Sequence, residues 1–595
     1  MNLFKTLKNN LSVWALLLLS IFILSYRGAN INEKEISWDV LGYYLYLPAT
    51  FIHDDPLLND ISWIEAVNEE KKLSDTLYMI SSNDQGEPMY FFLMGTALLY
   101  LPFFFIGHII ALFGGFPVDG FSMPYTLAIT YGAIFYTLLG LYFFRKILKY
   151  FFSEQITAIV LIVIVLGTNY VHHMTLKNLE TVNFIFTFVA ICIWNTLKWH
   201  ENNKTKHLLF IGLSITILCL VKPTEILIVL FPLLYAVKNK QDLLDKWKLL
   251  LSNKKGLIIT ILACLILAIP QISYWYIKTG QIIYDSYKNP GVGLDLTRPH
   301  ILNILFSLRK GWLVYTPIII FSIIGFRSMY KQNKNLFLSS ILYFSLSFYL
   351  ISSWTEWWYG ASFSIRPFIA LYPILGISLG YFLVDLSEQK TKVKIGISTL
   401  FILFISLNQF QWWQLKNYIL DSYRTTSKYY WATFLKTSVP EGAKKELLVN
   451  RDFSGINSFD DKSDYKNIKS IKFQNAATPL LENENFFMLL QKEYNELSIT
   501  DHIWVESKFE IECSDSSLIQ STYLISTFEH KGGAYGYYSV PFKRIAGNIY
   551  EANSTFLSPP IRRETDVLKC YVWKNNSGEM KVKSYSLEVF EKSLD

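Results

Sequence analysis

The chain has 595 residues and a formal net charge of +7; 51% of it is hydrophobic, 16% aromatic and only 17% charged, against about 25% charged in an average soluble domain. This is a membrane composition and excludes an ordinary soluble enzyme. The basic residues gather in short loops between apolar windows, which is an orientation signal and gives no reason to expect a nucleic-acid partner.

In chain order the apolar windows are 11–26, 88–113, 123–144, 155–170, 179–197, 207–221, 225–237, 256–276, 312–326, 335–352, 367–386 and 394–412. Most are long enough to cross a hydrocarbon core of roughly 30 Å as helix. Lys5 and Lys8 precede the first window, but Arg27-Gly28-Ala29 is a poor small-residue cleavage site, so this segment reads as an uncleaved anchor. Gly95, Pro102, Gly107 and His108 suit a broken element in 88–113, a hairpin or surface-lying helix that does not cross.

With that window left out, Lys5, Lys8, Arg145, Lys146, Lys149, Lys198, Lys204, Lys206, the lysines of 238–255, Arg327, Lys331, Lys334, Lys390, Lys392 and Lys394 all fall on one face. The positive-inside rule makes that face cytoplasmic. The expectation is an α-helical polytopic domain over 1–435 with eleven spanning helices and the N-terminus inside, placed in the cytoplasmic (inner) membrane. Connections 27–122, 171–178, 275–311 and 353–366 then lie on the outer, extracytoplasmic or periplasmic, face, and the unusual polar residues are there.

In "SWDVLGYYLYLP" (37–48) Ser37 can cap a helix that Pro48 helps to end, with Asp39, Gly42, Tyr43 and Tyr46 on one face. Asp39 in the first turn either complements the helix dipole or serves chemistry. "SNDQGEPMYFF" adds Asp84 and Glu87, either a base and its orienting partner or solvated loop charges. "TNYVHHMTLKNLETVNF" holds His172, His173, Lys177, Asn178, Glu180 and Asn183 at the mouth of a span, where polar groups need partners. The adjacent histidines point apart, which makes a metal site a weak reading, and no metal-ligand cluster stands out elsewhere.

Lys222 and Glu225 flank a Pro break and can pair with each other. Arg309 and Lys310 precede a span on the outer side, against the charge rule, and Arg366 follows Trp354, Glu356, Trp357, Trp358 and Tyr359. Such aromatics are either an anchoring belt or a surface on which sugar rings stack. Misplaced cations ask for an anion, and a lipid phosphate would satisfy them.

Cys192, Cys219 and Cys264 read as packing residues, whereas Cys513 and Cys570 either pair in an oxidising compartment or stay free. From 436 the composition turns polar. Runs such as "IWVESKFEIEC", "STYLISTFEH", "AYGYYSVPF", "LKCYVWK" and "VKSYSLEVFE" predict an irregular linker and a small antiparallel β-sandwich, so that 436–595 is an extracytoplasmic β-rich domain. It either binds glycan and guides an acceptor or merely stabilises the chain.

Taken together, Asp39, the Glu87-Pro88 pair, Lys222-Pro223-Thr224, "RKGWLVYTP" and "WTEWWYGASFSIRPF" resemble the polytopic GT-C glycosyltransferases that use polyprenyl-phosphate sugars. Protein mannosyltransferases and the aminoarabinose transferases of lipid A are members of that group. The resemblance covers residues 1 to 435 and rests on the order and spacing of the motifs. It implies a general base at Asp39, a second carboxylate at Glu87, and lipid-phosphate ligands at Arg309, Lys310 and Arg366. Tyr43, Tyr46, Asp84, His173, Lys177, Glu180, Lys222, Trp357 and Trp358 complete the candidate substrate-binding set. Two departures are visible: a His-aromatic motif is replaced by Glu180 and Asn183, and an Arg-Pro-Thr arginine is Lys222.

The expected reaction is inverting transfer of a sugar to a hydroxyl acceptor of a glycan, lipid or protein, without a metal or other cofactor. The competing readings are a transporter or flippase of a lipid-linked sugar and a sugar-binding scaffold. The first lacks an evident internal repeat and a charged path across the membrane.

Overall fold

Helix starts follow local chemistry. The Ser153 and Asn253 side chains accept bonds from the Ile156 and Gly256 amides and so cap Glu154–Leu166 and Lys254–Thr279. Pro124, Pro223 and Pro367 open helices in their first turns, where a missing amide costs nothing. Pro102 and Pro270 stand inside long helices, a place where membrane helices tolerate them.

This computed structural model describes residues 10–448, 459, 462, 465–480, 485–498, 502–576 and 578–592; Lys5 and Lys8, invoked above for orientation, lie outside the described residues. Two units make up the chain. One comprises Met1–Lys288, Leu296–Ser353 and Trp357–Asn417, the other Asn289–Asp295, Trp354–Glu356 and Tyr418–Asp595.

Among the described residues of the first unit, eight helices are long and apolar enough to cross a membrane: Leu11–Gly28, Gly95–Gly114, Met123–Phe151, Thr181–Asn202, Lys254–Thr279, Lys334–Ser352, Arg366–Ser387 and Thr391–Lys416. Glu154–Leu166, Thr205–Val221 and Pro223–Leu234 are apolar but shorter. The window 312–326 becomes Trp312–Tyr315 and Ile319–Gln332. Arg366–Ser387 is central and nearly all buried, while Lys254–Thr279 turns Ile258, Leu262, Leu265, Ile266 and Ile269 outward, the face a lipid would cover.

Polar contacts sort the helix termini into two ends. At one, Arg145 Nε donates to Ser12 Oγ over 2.8 Å, Ser12 bonds Glu154, and His207 bonds Asn195. Lys146 and Lys198 lie there on the Trp194 ring. At the other, Arg27 Nε donates to Asn178 over 2.7 Å and Asn178 to the Thr130 carbonyl over 3.0 Å.

The 88–113 window differs in form from expectation. A two-stranded hairpin, β1 (Ile80–Ser82) with β2 (Pro88–Tyr90), is followed by one unbroken helix, Gly95–Gly114. Its start meets the Leu220–Val221 backbone, and the Met94 amide just before it bonds Gln271. Near its far end Gly107 packs on Pro124–Tyr125. Those are a helix C-terminus, the C-terminal third of Lys254–Thr279 and an N-terminus, all toward the same end of the bundle, so the helix lies across that end.

In the second unit β3 (Tyr465–Leu480), β11 (Met580–Lys592), β5 (Ile503–Glu512), β9 (Ile549–Leu557) and β8 (Lys543–Ala546) form a sheet in that spatial order. A second sheet runs β4 (Phe486–Glu493), β10 (Val567–Lys574), β6 (Thr522–His530), β7 (Gly533–Pro541). All pairings are antiparallel. Inward residues of both sheets, Phe509 and Ile511 with Leu524 and Val572, share one core, which makes this a sandwich. Cys513 sits in that cluster and Cys570 in a neighbouring one, and both are free thiols, so they do not pair. Glu356, which the sequence places in the outer connection 353–366, belongs to this unit and lies 3.3 Å from Arg562.

Candidate active site

Asp39 opens the helix Asp39–Tyr44, a short helix that Tyr46–Phe51 continues after Leu45. Neither end is made as the sequence suggested: Trp38 is the capping residue and makes no side-chain cap, and Pro48 sits inside the second helix. Trp38 takes φ +53°, a conformation that costs a non-glycine residue about 1–3 kcal/mol and clusters at functional sites. Gly42 lets the helix approach its neighbours: a Cβ there would stand 2.5 Å from Phe92 and 2.6 Å from Met79.

Both Asp39 oxygens are engaged. Tyr78 donates its hydroxyl to Oδ1 over 2.5 Å and Arg366 Nη2 donates to Oδ2 over 2.8 Å. Arg366 Nη1 also lies 3.3 Å from Glu180 Oε2, and His173 Nδ1 is 3.0 Å from the same oxygen. One guanidinium therefore bridges two carboxylates, of which Asp39 is about a quarter exposed and Glu180 is buried. Burial alone would raise the Glu180 carboxyl, but Arg366 and, after it, His173 hold it well below the usual carboxylate range. Glu180 is thus a fixed anion. Burial pushes His172 and His173 below the ordinary imidazole value, and for His173 this outweighs the pull of Glu180. Lys177 is exposed and close enough to act on all three groups.

The scaffold beneath this cluster is polar and buried. Asn183 donates to the carbonyls of His173 over 2.6 Å and Asn178 over 3.0 Å. Asn178 in turn receives Arg27, whose guanidinium is buried against Glu35. These bonds hold the 171–180 connection and give Asn178 and Asn183 partners, whereas the buried His172 Nδ1 makes no hydrogen bond among the described residues.

The loop that delivers Arg366 is held in the same manner. Lys310 Nζ donates to the Ser362 carbonyl over 2.6 Å, Ser364 Oγ to the Lys310 carbonyl over 3.1 Å, and Asn169 to the carbonyls of Phe363 and Ile365 over 3.2 and 3.3 Å. Tyr359 and Ser364 both have positive φ in this loop. Lys310, only 1% exposed, is therefore a clamp on the Arg366 loop and is not presented to a lipid phosphate.

Several other expected ligands are also placed elsewhere. Tyr43 packs on Phe92 with ring centroids 4.4 Å apart; Tyr46 stacks on Tyr90 and donates its hydroxyl to the Phe92 carbonyl. Both are buried core residues, and of the two Tyr43 lies close enough to Asp39 and Arg366 to interact with them. The buried Arg309 guanidinium lies 4.5 Å over the Trp358 ring and 5.8 Å over Trp357, so these rings clamp a cation and Trp358, at 2% exposure, is no open platform. Lys222 faces the Tyr359 ring at 5.6 Å. Glu87 bonds Asn83 and lies 3.7 Å from Lys278, and Asp84 pairs with Lys288. The second carboxylate that shares a partner with Asp39 is Glu180, not Glu87. Tyr78 and Lys278 were missed by sequence reasoning; a lone tyrosine in a loop and a lysine at a helix end carry no pattern of their own.

The bundle of apolar helices fits a polytopic membrane glycosyltransferase of the GT-C type. Residues 101–275 match the family model described as dolichyl-phosphate-mannose-protein mannosyltransferase, a family whose activity depends on a polyprenyl-phosphate sugar. No curated protein matches the chain.

Proposed function

We propose that the chain transfers a sugar from a polyprenyl-phosphate donor to an acceptor hydroxyl at the outer face of the cytoplasmic membrane, with Asp39 as general base. The observation that carries this reading is the juxtaposition of Asp39 with Arg366, each about a quarter exposed. A carboxylate beside a forked cation is what transfer from a lipid phosphate requires. The acceptor oxygen attacks the anomeric carbon while its proton passes to Asp39. The bond from that carbon to the phosphate oxygen breaks, its electron pair leaves with polyprenyl phosphate, and Arg366 stabilises the charge that develops. Attack opposite the leaving phosphate inverts the anomeric centre.

Arg366 supplies the positive charge that a metal ion provides in other transferases, so activity is expected to survive chelation by EDTA. Sequestration of basic residues such as Arg145, Lys149 and Lys198 at the opposite end supports the outer placement of the site. The test is release of free polyprenyl phosphate from a panel of polyprenyl-phosphate sugars by protein in nanodiscs, with candidate acceptors added. Release by wild type and its loss in Asp39→Asn is the expected result. Release by both would remove the base from Asp39, and translocation of the intact donor without release would replace transfer by transport.

A further inference from the structure

Arg366 is shared unequally by its two carboxylates. Glu180 is buried, held ionised, and set at the start of Thr181–Asn202, with His173 on its other side. Asp39 is more exposed, 25% against 9%, and its other oxygen is already held by Tyr78. If one partner of Arg366 is to be exchanged, it is Asp39: Tyr78 still holds its other oxygen and solvent can reach it, whereas a buried Glu180 left without its cation would be strongly destabilised.

A base bonded to a guanidinium is also poorly disposed to take a proton. The lone pair of Oδ2 is directed at Nη2, so it is already engaged and not open to an incoming proton. The arrangement is thus a resting one, and something must draw Arg366 away before Asp39 can act.

We infer that the phosphate of the lipid donor competes with Asp39 for Arg366, so that donor binding itself releases the base. This rests on the reading of the site proposed above and extends it to an order of events. Phosphate takes the Nη2 side of Arg366 while Glu180 keeps the Nη1 side. Asp39, now held by Tyr78 alone, is free to accept the acceptor proton. After transfer Asp39 is neutral and does not compete, so polyprenyl phosphate stays bound. When Asp39 gives its proton to water it regains Arg366 and displaces the lipid product. Donor binds first, and the spent lipid leaves as the base is reset. Arg366 is then a positioning residue for Asp39 as well as a ligand of phosphate.

The experiment is equilibrium binding of polyprenyl phosphate, without a sugar, to full-length protein in nanodiscs. Wild type, Asp39→Asn, Arg366→Ala and the double variant are compared, each shown to be monodisperse and folded at the temperature of the assay. Asp39→Ser replaces Asp39→Asn where that variant is not recovered folded. Loss of the competing carboxylate is expected to tighten binding about tenfold, or about 1.4 kcal/mol. Arg366→Ala is expected to weaken it, and the Asp39 substitution to have no further effect in that background. A purely structural role for Asp39 gives no gain of affinity. Unchanged or weaker binding by Asp39→Asn, with weaker binding by Arg366→Ala, overturns the exchange and leaves the transfer reading standing. No binding by wild type, or binding indifferent to Arg366, overturns both.

Discussion

Arg366 Nη2 lies 2.8 Å from Asp39 Oδ2, joining residues 327 apart in the chain. A lysine can offer charge at this position but not two parallel faces for two carboxylates. Arg366→Lys is therefore expected to lower kcat/KM at least a hundredfold, about 2.7 kcal/mol of transition-state stabilisation. Steady-state kinetics with the donor that proves active would read it, and a loss under threefold would remove the bidentate role.

Two acidic residues should separate cleanly. Glu87, more than half exposed beside Asn83 and Lys278, is expected to tolerate Gln with activity changed less than threefold. Glu180→Gln leaves Arg366 short of its buried partner and should lower stability by about 3–5 kcal/mol, read as a fall in melting temperature. The reverse ranking would return the second carboxylate role to Glu87.

Gly42→Ala places a methyl group against Phe92 and Met79 and is expected to cost about 1–3 kcal/mol by overpacking. Because the shift acts on the helix that begins at Asp39, activity should fall further than a change elsewhere of equal stability cost. Thermal melts alongside turnover would show the two effects separately.

Acid should loosen this end of the bundle in two stages. Burial holds His172 and His173 neutral, with lowered values, so their contribution is full above about pH 6.5 and falls as the unfolded chain begins to bind their protons. Glu180, lowered by Arg366 and His173 against its burial, contributes above the free-carboxylate value of about 4.3 and loses that contribution as pH falls through its lowered value. The melting temperature is expected to drop between pH 7.5 and 5, and His172→Asn to flatten the upper part of the drop. A melt unchanged between pH 7.5 and 5 would contradict the histidine assignment, and one unchanged on further acidification below about pH 4.3 the Glu180 assignment.

A reporter fused after Gly115 should give an extracytoplasmic signal, because the helix Gly95–Gly114 begins and ends at the end of the bundle that carries Asp39. A cytoplasmic signal would make that helix a span and reverse every later connection.

What could be read from the sequence was what period and charge encode. Apolar windows marked the helices, and residues such as Asp39, Glu180 and Arg366 stood out because charge at a membrane face needs a partner. Which partner was invisible: Asp39 meets Arg366 through folding of widely separated segments, and Glu87 was favoured through the resemblance, as a carboxylate preceding Pro88 in the same outer connection. That Lys310 and Trp358 are buried was likewise illegible, because position and charge do not report burial. In the second unit β5, β6, β7, β10 and β11 followed their alternation. The strands β3, with its many polar residues, and β4, an apolar run that does not alternate, gave no such period.

The helix across the site-bearing end has a mechanical consequence for the surrounding lipid. Twenty residues make a rod about 30 Å long and about 10 Å across, so it takes roughly 300 Å² from one leaflet and nothing from the other. An asymmetry of that size favours membrane that bends toward the opposite leaflet, and turnover in small vesicles should then differ from turnover in flat sheets of the same composition according to which leaflet receives the helix.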